Sequence, residues 1–419
     1  MLLGTEPFRP LAVTAAAAAG MPEVPLVTVA HPIGGVDPKL VRDRADAVVD
    51  AVLRALTGPP AAGVAPAARV ATAAGARGVV AVPDGLDAFQ ADAAARGWTD
   101  GFPVLPPTAD RVAALVAGAG GAREVVVERL APAMRAVSLE IVAVNAALAG
   151  ALPEHMPVIV AALRALADPR FNLNAVQTTT HPCGPLLIVN GPIAARLGIS
   201  GGANALGNGH RANALIGRAV RLTLQNAGGA IPGQTDRATL GHPGKYAYCV
   251  AENEVLSPWE PLHAERGFRR DESCVTVVGA DAPHNVNDHG STTAEGLVRN
   301  LAGTLASPGS NNVYLGGEPV VVLGPEHART IADSGWSKAD LRRALWARAR
   351  MRLDLFSAEN LARFGIIDPA RFVGRPADAD VGPSVAPEDI MVIVAGGPGK
   401  HSAVIPTFGA TRAVTMRIG

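Results

Sequence analysis

The stretch Val176-Gln-Thr-Thr-Thr-His181-Pro-Cys183-Gly-Pro-Leu-Leu-Ile-Val-Asn190-Gly-Pro-Ile-Ala-Ala-Arg-Leu-Gly-Ile-Ser200 decides the fold. It continues through Gly201-Gly-Ala-Asn-Ala-Leu-Gly-Asn-Gly-His210 into Arg211-Ala-Asn213-Ala-Leu-Ile-Gly-Arg218-Ala-Val-Arg221-Leu-Thr-Leu-Gln-Asn226. Leu186 to Asn190 is a short apolar run bounded by Gly-Pro pairs, which reads as a buried strand. The glycine-rich segment after it opens a helix near His210, and Asn226 with Gly228-Gly229 ends that helix. Strand, glycine loop and helix make an α/β unit. The Thr, Asn and His residues sit among apolar runs, where a polar group is costly unless paired, so this stretch has a site to build.

The same grammar recurs outward. Pro25 to Ala30 reads as a strand running into His31-Pro32-Ile33-Gly34-Gly35. Asp37 caps a helix with Pro38 at its first position. Apolar residues at 41, 45, 48, 49, 52, 53 and 56 carry that helix to Leu56. Phe8 to Gly20 is a short Ala-rich helix. Gly58 to Ala68 is the best linker, and a domain boundary falls between 58 and 97, a segment that also holds a strand at Gly78–Val82. Trp98 to Thr108 is a proline-locked loop. Glu124–Leu130, Cys274–Gly279, Pro319–Leu323 and Ile390–Ala395 read as strands, and 138–148, 153–167, 291–305 and 325–332 as helices. The fold class expected is α/β: a small strand–loop–helix N-terminal domain (1–57), a connecting segment (58–97), and a larger α/β domain rich in buried helices (98–419).

Composition narrows the function. With 48% hydrophobic residues over 419 the chain has a sizeable core. Lys+Arg and Asp+Glu are 37 each, so no net positive charge exists to drive nucleic-acid binding. No apolar run is long enough to span a membrane. Three cysteines without a CxxC pair point to the cytoplasm rather than to a disulfide framework. The N-terminus reads without a signal peptide.

Three His-Pro dipeptides lie near glycines: His31-Pro32, His181-Pro182 and His242-Pro243. Proline restricts the backbone before it, which pre-positions an imidazole able to move protons near neutrality. The catalytic candidates are His181, Cys183, His242 and Glu252. Cys183, two residues after His181, is a nucleophile or soft-metal ligand if its thiolate is stabilised. Glu252 and Glu254 share a face of an extended chain, and one of them is an acid or base if desolvated. For substrate binding, Arg218 and Lys245 neutralise anionic charge, Asn213 orients the molecule, and Asp100 lines the proline loop. Gly396, Gly397, Lys400, His401 and Ser402 form an anion-binding loop after a strand. No nucleotide-cofactor fingerprint is present, so the cofactor stays open, as does any metal.

Several motifs also resemble a known family. VPLVTVAHPIGG, with the segment Phe8 to Leu56 around it, is similar to the part of UGSC-type (seleno)proteins downstream of their selenocysteine- or cysteine-Gly-Ser-Cys motif. No Gly-Ser-Cys occurs here, so the chain reads as starting after that motif. TDGFPVLPPT, the TTTHPCGPLLIVNGPI run, GHRANALIGRAVRL, GHPGKYAYCVAENE and SPWEPLHAERGF resemble the larger domain associated with such proteins, some of which are likened to organomercurial lyases. The resemblance implies a cysteine where this chain reads Ala149-Gly150-Ala151. The first expectation is a lyase or hydrolase acting on a small anionic molecule by His/Glu acid–base chemistry. The alternatives are a thiol or soft-metal binding protein using Cys183, and a non-catalytic subunit of a Gly-Ser-Cys-containing partner. Self-association into a homo-oligomer stays open.

Overall fold

The computed structural model describes residues 1–58, 79–121 and 125–419. Strands β1 (Leu2–Thr5) and β2 (Leu26–Val29) are parallel, with helix α1 (Arg9–Ala18) crossing between them. The Asp37 carboxylate accepts the Lys39 N–H at 2.6 Å and starts helix α2 (Pro38–Asp46), as its sequence requires. The single helix expected to reach Leu56 is instead broken at Ala47–Val48, and α3 (Val49–Thr57) follows. No glycine or proline stands at the break to account for it. Beyond Gly58 the expected linker lies outside the described residues. Val79–Val82, the described part of the strand expected there, forms no strand.

Helices α4 (Leu86–Ala95) and α5 (Ala109–Gly118) flank the proline loop. A hairpin of β3 (Val125–Leu130) and β4 (Arg135–Ser138) leads into α6 (Leu139–Ala149), α7 (Met156–Leu166) and α8 (Leu173–Thr178). Then come β5 (Gly184–Asn190), α9 (Pro192–Leu197), α10 (Arg211–Asn226), β6 (Cys249–Ala251), α11 (Leu262–Glu265), β7 (Cys274–Ala280) and β8 (His284–Asn287). The remainder is α12 (Ala294–Leu305), α13 (Asn311–Leu315), β9 (Val320–Leu323), α14 (Pro325–Asp333), α15 (Lys338–Arg348), β10 (Met351–Arg352), α16 (Ala358–Ile367), α17 (Pro369–Phe372), β11 (Asp380–Val381), β12 (Met391–Val394), β13 (His401–Ile405) and β14 (Val414–Arg417).

Two four-stranded sheets carry the architecture, ordered β14-β7-β5-β6 and β8-β13-β9-β12. Each has one parallel pair (β5 with β6, β9 with β12), and the other neighbours are antiparallel. The strands are apolar on both faces because both faces are covered. Leu187, Val189, Val275 and Val277 turn to a core shared with α6, α7 and α10. Leu186, Ile188 and Val278 turn the other way, against Val320, Val322, Met391 and Ile393 of the second sheet. The alternate residues Val321, Leu323, Val392 and Val394 meet α12, α14 and α15. Helices, sheet, sheet, helices is therefore the layer order. Each such side chain, fully buried, contributes about 1.5–3 kcal/mol.

The sheets exchange their edge strands. The chain leaves the first sheet at Ala280 and enters the second as β8. It leaves the second at Ile405 and enters the first as β14. The two crossings touch: Ala280 bridges Thr407, the Asp281 N–H donates to the Pro406 carbonyl at 2.8 Å, and the Phe408 N–H donates to the Gly279 carbonyl at 2.9 Å. This contact sets Asp281 and Phe408 side by side at the end of the first sheet where β5 begins.

Candidate functional site

Four of the expected residues meet at that end. His181 and Cys183 precede β5, and His242 and Lys245 lie in a turn before β6. Gly184 makes the approach possible: a Cβ there would stand 3.2 Å from Lys245 Cγ and 3.8 Å from His242 Nε2. His181 packs on the Phe408 ring, centroids 5.5 Å apart, and its Nε2 lies 2.7 Å from Asp281 Oδ1. That approach is close but poorly aligned. Both His181 ring nitrogens and Asp281 Oδ1 are buried without a hydrogen-bond partner among the protein groups.

His242 differs. Its Nδ1 accepts the Gly244 N–H at 3.1 Å, and its Nε2 lies 3.3 Å from the Ala280 carbonyl. A carbonyl only accepts, so Nε2 carries the proton and both nitrogens are engaged. Burial pulls the His242 pKa below its ordinary value, which keeps the ring neutral near pH 7. His242 is thus a positioned, neutral imidazole, and His181 is the one with free nitrogens.

Beside them lies a charge network absent from the sequence expectation. Asp236, its side chain 4% exposed, takes Arg221 Nη2 at 2.7 Å and Lys245 Nζ at 2.8 Å. Burial would raise the Asp236 carboxyl, but the Arg221 and Lys245 charges overcome it and hold the group below its ordinary range. Burial in turn lowers the Lys245 ammonium, against the pull of Asp236. Two cations share one carboxylate, which leaves surplus positive charge for an anion. Arg221 stands one helical turn beyond Arg218, the arginine the sequence reading chose for this role. Asp281 could be found only as the first polar residue after an apolar strand, a weak signal.

Cys183 is buried, with Sγ 4.0 Å from the Val176 carbonyl. Burial pushes its thiol pKa up to about 12, with Asp281 adding to the rise. It is a thiol at neutral pH and has no thiolate to offer as nucleophile or soft ligand. Cys249, raised to about 12, and Cys274, raised to about 11, are buried as well. Among the described residues, no group of three or more His, Cys, Asp or Glu side chains is arranged to hold a metal ion.

The other expected residues lie elsewhere. Glu252 stands at the far end of β5, roughly 20 Å away at strand rise. Its Oε2 accepts from Asn190 Nδ2 and from the Leu262 N–H, each at 2.7 Å, and Lys338 Nζ is 3.8 Å from Oε1. Burial raises its carboxyl, opposed by Lys338. Asn213 spends its amide on Ser200 N–H and C=O and on the Cys249 carbonyl, tying the glycine-rich segment to β6. Arg218 binds Asp100 through two 2.8 Å contacts and donates to the Phe102 and Pro103 carbonyls, so this pair holds the proline loop on α10. The Gly396–Ser402 segment lies at the Glu252 end. There the Gly396 N–H donates to the Gly201 carbonyl, and a Cβ on Gly397 would strike Ala203. The Gly399 N–H donates to Glu326 Oε1 at 2.7 Å, so a carboxylate of the chain already holds that loop. Lys400 reaches the His289 carbonyl at 3.5 Å, His401 is exposed, and Ser402 is buried against His327. Surface grooves of ≈ 350 and ≈ 360 Å³ lie beside Arg129 and beside Lys400, neither of them at His181.

The N-terminal segment reaches the edge of the candidate site where the Arg237 guanidinium, next to Asp236, stacks over the Phe8 ring at 5.1 Å. His31 is held apart from the cluster, Nδ1 3.2 Å from Thr5 Oγ1. No helix among the described residues is long and apolar enough to cross a membrane. No curated protein and no solved structure matches the chain. Residues 1–58 match the model of the UGSC family, so the N-terminal segment is similar to that family.

Proposed function

We propose that the chain is an enzyme of the lyase or hydrolase type that moves a proton on a small anionic molecule, with His181 as the proton carrier. The observation that carries this reading is the His181–Asp281 pair: a half-buried imidazole and carboxylate 2.7 Å apart, with both His181 nitrogens and Asp281 Oδ1 shielded from solvent and lacking hydrogen-bond partners. Unsatisfied buried polar atoms are costly in a fold and are expected where a ligand completes them. Asp281 orients His181 and stabilises its imidazolium when it takes a proton. Arg221 and Lys245, only half neutralised by Asp236, hold the anionic group. His242 keeps the wall of the site in place. A screen of small carboxylates and phosphates for thermal stabilisation tests the reading. A compound that stabilises the wild type and is converted by it should still bind His181→Ala but no longer be turned over. Turnover intact in His181→Ala would reject it.

One observation favours a second reading, a subunit of a larger assembly. Val49, Leu53 and Leu56 lie on one face of α3 and are 47%, 53% and 62% exposed. An apolar helix face of this kind in the UGSC-type segment is a docking surface for a partner protein. Leu53→Glu that abolished co-purification with a Gly-Ser-Cys-containing protein would support it, and unaltered recovery of the chain alone would oppose it.

A further inference from the structure

A second pair of histidines lies at the other end of the sandwich. His289 follows β8 and His401 opens β13, its antiparallel neighbour, with Asn287 opposite His401. Both side chains are exposed. Their Nε2 atoms are 3.3 Å apart, with ring centroids at 5.1 Å and planes at 82°. His401 Nδ1 lies 3.0 Å from Asn285 Oδ1. An amide oxygen only accepts, so Nδ1 carries the proton and Nε2 presents its lone pair. A backing acceptor of this kind fixes the tautomer of metal-binding histidines.

The spacing is informative. Two imidazole nitrogens on one tetrahedral ion, each bonded at about 2.0–2.1 Å, stand roughly 3.3 Å from one another. We propose that His289 and His401 form a two-histidine site for a late first-row divalent ion of the Zn²⁺, Ni²⁺ or Cu²⁺ class, with its other positions open to solvent or a ligand. Imidazole suits these ions, whereas Mg²⁺ and Ca²⁺ require oxygen donors. No cysteine takes part, so the site is chemically distinct from a thiolate site. Lys400 is the opposing element: its Nζ reaches the His289 carbonyl at 3.5 Å and brings positive charge to the rim. The site stands apart from His181, so either proposal can fail without the other.

Calorimetric titration of the full chain with Zn²⁺ and with Ni²⁺ tests it, each variant first checked for an unchanged melting temperature. The wild type should take up one ion per chain. His289→Ala and His401→Ala should each abolish that uptake, with the glutamine variants in reserve should an alanine variant not fold. Asn285→Ala should weaken binding by at least about tenfold, the usual effect of losing a backing hydrogen bond. Lys400→Ala should bind as tightly or more tightly, and His284→Ala, exposed on the same strand, should bind as the wild type does. No saturable uptake by the wild type would overturn the proposal and leave a simple imidazole–imidazole hydrogen bond. Uptake undiminished in His401→Ala, or competition by Mg²⁺ at equal concentration, would overturn it as well.

Discussion

Replacing Asp236 with Asn tests the charge network that supports the candidate site. The carboxylate is 4% exposed and touches Arg221 and Lys245 at 2.7 and 2.8 Å, with their side chains 8% and 14% exposed. The variant keeps the shape and removes the charge, so two buried cations face each other without a counter-ion. Removing one partner of a buried ion pair costs about 3–5 kcal/mol. Unfolding entropy near 2.1 cal/mol/K per residue gives this 419-residue chain about 0.9 kcal/mol/K, if it unfolds as one unit. The melting temperature should therefore fall by about 3–6 °C at pH 7. The pH dependence has a fixed sign. The folded Asp236 pKa is depressed, so its contribution is complete above the unfolded value of about 3.9 and is lost as pH falls through the lower folded value. Wild type and variant should converge in acid. Alkaline pH should also recover part of the loss, because Lys245, already lowered by burial, discharges there. The assay is thermal unfolding of both proteins from pH 3 to pH 10. A variant melting with the wild type at pH 7, or a gap independent of pH, would refute the network.

Gly244→Ala would place a Cβ 2.6 Å from His242 Cε1 and 2.7 Å from Tyr248 Cδ1. It should destabilise the chain by about 1–3 kcal/mol in denaturant titration, as overpacking does. The three buried thiols, raised to about 12, 12 and 11, should resist alkylation at pH 8 in the native chain and react on unfolding. Rapid native modification of Cys183 would show that its thiolate is available after all. Arg218→Ala should release the 98–103 loop by removing both Asp100 contacts, at a cost of about 3–5 kcal/mol. Limited proteolysis should then cut the variant in that loop first.

Much of the fold was legible because strand and helix periods differ. The apolar runs at Leu186–Asn190, Cys274–Gly279 and Pro319–Leu323 became strands within two residues of their expected limits. Ser337 caps α15 through a reciprocal contact with Asp340. The short edge strands β8 and β14, and β13 between β9 and β8, were not legible. His284–Asn287 is polar at three of four positions, since an edge strand with one open face needs little apolar content. The exchange of edges between sheets is a tertiary property that no local pattern encodes. For the same reason the sequence, which put His181, Cys183, His242, Lys245 and Glu252 in one candidate site by their residue types and neighbours, could not show that the first four meet near the start of β5 and that Glu252 stands apart from them. Glu252 directly follows the neighbouring strand β6, and only strand direction shows that it lies at the opposite end. Arg218 and Arg221 share a helix and differ by one turn. Which of them faces the cluster depends on Asp100 and Asp236, residues distant in the chain.

The central claim is that His181 transfers the proton while His242 only holds the site in shape. Its most direct measurement is turnover of a stabilising small anion by the wild type, His181→Ala, His181→Gln and Asp281→Asn, with binding measured separately. The account predicts that the His181 variants bind the anion and do not convert it, and that Asp281→Asn converts it slowly with an altered pH profile. Wild-type turnover in both His181 variants, or loss of binding together with loss of fold in all three, would contradict it.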